Sequence, residues 1–115
     1  MPDHDFNELY KNLRGQVEAL ASLTVRKYKR QAARDGKKLL TNMKGDLKRW
    51  SALLDQGLLT TEDFEWLVQS QSSTLKMAAL EKTALADSRV QQFKLSLFTM
   101  FIDTIFDTVI GKIPD

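Results

Sequence analysis

Stepped at helical spacing, residues 90–113 carry two neighbouring apolar stripes. One runs Phe93, Leu97, Phe101, Ile105 and Val109; the other runs Leu95, Phe98, Ile102, Phe106, Ile110 and Ile113. Together they take up roughly two-thirds of the circumference, where an ordinary surface helix needs an apolar face of about 100° or slightly more. Ser96, Asp103 and Asp107 form the polar strip that remains. A helix this apolar has to be covered on more than one side, and the rest of the chain is read as answering that demand.

In the N-terminal half, Asp3 or Asp5 can cap a first helix, with Glu8 in its first turn. Phe6, Leu9, Tyr10, Leu13, Val17, Leu20, Thr24 and Tyr28 then hold one face. The phase carries on through Ala32, Leu39, Met43, Leu47, Trp50 and Leu54. Gly15, Gly36 and Gly45 lower helix propensity, each by about 1 kcal/mol against Ala, without breaking the phase. Asp35-Gly36 is the one place in this half with a turn signal. The stop comes at Asp55-Gln56-Gly57, where Gly suits a left-handed position after a helix, and Thr60 or Thr61 followed by Glu62 and Asp63 restarts one. A loop of a few residues joins antiparallel neighbours, so the pattern predicts a helical hairpin here. Trp50 and Trp66 flank the turn and could pack together to pin it.

The stretch 47–65, LKRWSALLDQGLLTTEDFE, resembles the short helical hairpin called SHOCT. It has the leucine-rich helix, the Gly, the apolar pair, the Thr/acid cap and the Phe-Glu. The resemblance covers about a sixth of the chain and implies a small oligomerisation or appended module; it carries over no active-site residue.

Beyond Thr60 no Gly or Pro occurs before Gly111, and the polar dip 69–74 is where a break could hide. The two arms, 5–56 and 60–112 about a turn at 57–59, are nearly equal. The fold class expected is all-α: a long antiparallel helical hairpin in a single domain, each arm about 75 Å long, two copies of which form a four-helix bundle. The alternative is a monomeric four-helix bundle with breaks near Gly36 and Ser72.

Composition narrows the function. The chain has 115 residues, 43% hydrophobic and 28% charged, and no cysteine, which excludes disulfide and thiolate chemistry. No signal segment opens the sequence, so the cytoplasm is the expected location, with peripheral membrane association left open. Asp103 and Asp107 inside the most apolar stretch argue against a membrane span. His4 is the only histidine, so neither a Ser-His-Asp arrangement nor a histidine-based metal site has support, and no Gly-rich phosphate loop occurs. Asp103 and Asp107 could hold a cation, but they suit a solvent-facing strip better. No cofactor, metal, catalytic residue or small-molecule substrate is expected.

Charge is uneven. Residues 1–25 sum to −2, residues 26–49 to +8 and residues 50–115 to −4. Arg26, Arg30, Arg34, Lys37, Lys44 and Lys48 fall together on a helical projection, a stripe able to meet phosphates on nucleic acid or an anionic membrane. The leading expectation is a non-catalytic interaction or oligomerisation protein, a homodimer with coiled-coil-like packing. Its interface is placed at Phe93, Leu97, Phe98, Phe101, Ile102, Ile105, Phe106 and Val109. The alternative is an anion-binding surface formed by the basic face 26–49. A third reading inserts the C-terminal helix into a membrane surface, against which its acidic strip counts.

Overall fold

The computed structural model describes residues 3–72 and 74–111, with side chains from Phe6 onward. The side chains of Asp3, His4 and Asp5, and the stripe residue Ile113, lie outside that description. The described chain is all-α, without strands: α1 (Asp3–Thr24), a 3-10 turn (Arg26–Tyr28), α2 (Lys29–Asp55), α3 (Thr61–Ser72), the short α4 (Ala78–Glu81) and α5 (Asp87–Val109).

Helix α1 buries Phe6, Leu9, Tyr10, Leu13, Val17 and Ala21 on one face, as its period requires. It ends where two β-branched residues follow each other. The Thr24 hydroxyl donates to the Leu20 carbonyl at 2.7 Å, competing with the backbone ladder. Val25 leaves helical geometry (φ −135°, ψ 55°) and turns into the core. The freed carbonyl of Thr24 accepts from the Arg89 guanidinium on α5 at 2.7 Å. The chain reverses through the 3-10 turn, and α2 returns antiparallel along α1. Pairings of Tyr10 with Thr41 and of Glu18 with Lys37 record that register.

The α2–α3 corner matches the sequence reading closely. Gly57 has φ 74°, the Leu58 N–H bonds the Leu53 carbonyl at 2.9 Å, and the Gly57 N–H bonds the Leu54 carbonyl at 3.1 Å. These are the two bonds of a Schellman motif. The Thr60 hydroxyl then accepts the Asp63 N–H at 3.0 Å, capping α3. Trp50 is buried but Trp66 is 68% exposed on the outer side of α3, so the two tryptophans do not pin the turn; Phe64 and Val68 do the packing.

Two expectations about the arms are corrected. The arms 5–56 and 60–112 are not continuous helices: the first breaks at Val25, and the second opens after Ser72 and again at residues 82–86. The molecule is 44 Å long in its largest dimension, well short of the 75 Å arm. Nor does the chain break at Gly36, which sits inside α2. A Cβ added there would stand 2.6 Å from Val17 Cγ1 and 3.4 Å from Leu97 Cδ1, so the glycine permits α1, α2 and α5 to approach closely. Its neighbour Asp35 is buried. It caps α4 from across the core, accepting the Ala79 N–H at 3.0 Å and the Leu80 N–H at 2.8 Å. Those two amides begin a helix whose own preceding residue, Met77, supplies no cap. The turn signal thus marks a crossing and a cap on a distant segment.

Helix α5 fills the centre. It runs antiparallel to α1, to which Thr104 is tied by a 3.1 Å bond to Gln16, and antiparallel to α3, where the Phe64 and Phe106 rings lie 5.4 Å apart. One chain therefore supplies all four arms of an up-down-up-down bundle, the third arm being α3 continued by residues 74–77 and α4. Lys94 donates to the Leu75 carbonyl and holds that irregular stretch against α5.

Candidate interaction surface

The eight residues expected at a dimer interface are mostly interior to a single chain. Phe93, Leu97, Phe98, Phe101, Ile102 and Ile105 are buried, and Phe106 and Val109 are half-buried against the same core. The physical reason is the break at Val25. It brings α2 onto α5 beside α1, while α3 covers the other flank, so every described residue of the two apolar stripes except Leu95 is at least partly covered without a second subunit.

What α5 leaves outside is its polar strip, with one apolar exception. Arg89, Gln92, Asp103 and Asp107 are exposed, Ser96 is half-buried, and Leu95 is 60% exposed. By period Leu95 belongs to the second apolar stripe, yet it is left exposed, in a groove it shares with Ser72 at the end of α3. It sits where three shallow grooves meet. One, of about 370 Å³, runs between α1 and α5 past Val25, Arg89 and Phe93. The next, of about 500 Å³, continues past Met100 and Thr104 to Asp103 and Asp107. At the other end Val25 and Arg89 are shared with a groove lined by Leu23, Arg26, Lys27 and Leu85. Together they form one open trough. Leu23 (76% exposed) and Leu95 give it an apolar rim, cations lie at one end, and carboxylates lie at the other.

The basic stripe is divided by its neighbours. Arg26, Arg30 and Arg34 are exposed, with no ion-pair partner among the described residues. Lys37 is paired with Glu18 across the α1–α2 contact. That hydrogen bond and charge hold the Glu18 carboxyl below the usual carboxylate range. Lys44 lies 4.6 Å from the centre of the Tyr10 ring. Lys48 is exposed at the far end. Of the six, only the three arginines near the α1–α2 corner form a patch with unspent charge.

Asp103 and Asp107 line the trough in solvent, and among the described residues no group of three or more His, Asp or Glu could hold a metal. No helix among the described residues is long and apolar enough to cross a membrane. The sequence reading did not mark Arg89, and it placed Leu95 among the stripe residues to be covered. A basic residue in the first turn of a helix, where the dipole disfavours it, was the available signal for Arg89. No protein-family model, curated protein or solved structure matches the chain.

Proposed function

We propose that the chain is a non-catalytic helical interaction protein that docks a helical partner in the trough between α1 and α5. The observation that carries this reading is Leu95, a large apolar side chain held out at the meeting point of three grooves and flanked by opposite charges. Single exposed leucines are ordinary; one centred in a trough with charged ends has the layout of an apolar anchor with a polar rim. A photo-crosslinking residue introduced at Leu95 tests the reading, with Asn42 on the outer face of α2 as control. An identified protein adduct, the chain itself included, is expected at 95 and absent at 42. Equal labelling at both positions would refute it.

A second reading, binding to an anionic surface, is favoured by Arg26, Arg30 and Arg34, whose charges are not spent within the described chain. Its test is binding to duplex DNA or anionic vesicles at low salt, lost on reversing the three arginines and steeply weakened by salt.

A further inference from the structure

We infer that the occupant of the α1–α5 trough is a second copy of this chain, lying antiparallel across a twofold axis at Ser96. The inference rests on the reading of the trough as a docking surface. Arg89, Gln92, Ser96, Thr99, Asp103 and Asp107 follow one another at steps of three or four residues, so they share the outward face of α5. Charge along this face is positive at its beginning, where Arg26 and Lys27 reinforce Arg89, and negative at its end.

The spacing is symmetric about the middle. Arg89 and Asp103 each stand seven residues from Ser96, two helical turns or about 10.5 Å along the axis. A twofold axis at Ser96 therefore sets Arg89 of one copy opposite the partner's Asp103, and the reverse, while Leu95, one residue or about 100° around the helix, packs against the flank of the partner helix. Parallel docking of two copies would instead oppose like charges at both ends. Helix polarity gives the same answer. Arg89 in the first turn and Asp107 in the last both oppose the dipole of their own helix, whereas an antiparallel partner brings its own opposite end to each. Arg89 spends one N–H on Thr24 and keeps further donors. Asp103 and Asp107 have no ion-pair partner among the described residues.

A contact of a few helical turns lies at the small end of specific interfaces, so the dimer is expected to dissociate within the protein concentrations that ultracentrifugation spans. Sedimentation equilibrium of the full chain over that range reads it. Leu95→Glu should weaken association at least tenfold. Arg89→Asp and Asp103→Arg should each weaken it about tenfold at low salt. An equal mixture of those two variants should recover the parent's affinity, because each reversed charge then meets its complement. Arg89→Asp also removes the bond to Thr24, so cysteine cross-linking provides an independent reading in a chain with no native cysteine. Ser96→Cys should form a disulfide with its own copy readily, and Asp103→Cys alone should not.

Unchanged affinity in Leu95→Glu, or equal cross-linking at 96 and 103, would overturn the inference. A monomeric parent whose position 95 labels a different, identified protein would overturn the second copy and leave the docking reading standing. A monomeric parent with no adduct at 95 beyond that at Asn42 would overturn both.

Discussion

Gly36 and Gly57 lie on or just beyond the same helix, each after an acidic residue or one step removed from it, and the two do unrelated work. Gly57 answers a local need. Its φ of 74° closes the Schellman bonds at the end of α2, and a Cβ there would meet no neighbouring atom within 4 Å. Gly36 answers a distant one. Its backbone is ordinary helix, and the constraint is Val17 on α1 with Leu97 on α5, 19 and 61 residues away in sequence. A glycine can therefore end a helix or let another helix approach it, and the Asp-Gly pair that reads as a turn is here the point where Val17 of α1 and Leu97 of α5 close on α2.

The largest expected effect comes from the residue that completes the Gly36 crossing. Asp35→Ala leaves the Ala79 and Leu80 amides without their acceptor, and the loss of two charge-assisted bonds should cost about 3 kcal/mol. Chemical denaturation measures it, and hydrogen exchange should show those two amides losing protection first. If both amides stay protected, the cap from Asp35 is not what holds α4.

Placing valine at each glycine sharpens the contrast. Gly36→Val should destabilise by about 2 kcal/mol through overpacking, only partly offset by better helix propensity. Adding Val17→Ala should recover part of that loss, a coupling visible in a double-mutant cycle. Gly57→Val should cost about 1 kcal/mol or somewhat more, and no substitution elsewhere should restore it, because the strain is in its own backbone. Gly57→Asn should be nearly neutral, since Asn tolerates the left-handed region, whereas Gly36→Asn should not be. Thermal melts that ranked the two asparagine variants the other way would dissolve the distinction.

The smallest effect tests the α1–α2 contact beside the crossing. Lys37 lowers the Glu18 carboxyl pKa by hydrogen bond and charge, so ionisation is favoured in the folded state. The resulting stabilisation is fully present above the unfolded carboxylate pKa and is lost as pH falls through the lowered folded value. Melting temperatures of the parent and Glu18→Gln should differ slightly at neutral pH and converge in acid. A gap that persists in acid would show that the pair contributes through packing instead.

Much of the molecule was legible in the sequence where the cause is local. The all-α class follows from apolar spacing. The α2 stop and α3 start follow from Gly57 and Thr60, whose effects reach only a few residues along the backbone. The uneven charge and the outward placing of Asp103 and Asp107 follow from the same periodicity, so part of the candidate surface could be read directly. Leu95 could not, because its exposure depends on where the other helices pack on α5. The break at Val25 was missed because β-branched Thr24 and Val25 punctuate a helix more quietly than Gly or Pro.

By itself the sequence determined that α5 must be covered on two sides, since its apolar area is a property of its own residues. Only the tertiary structure decided what covers it. Burial of apolar surface is non-directional and does not distinguish a neighbouring subunit from a folded-back arm of the same chain. The reversal at Val25, and the room that Gly36 leaves for Val17 and Leu97, bring the chain's own helices there.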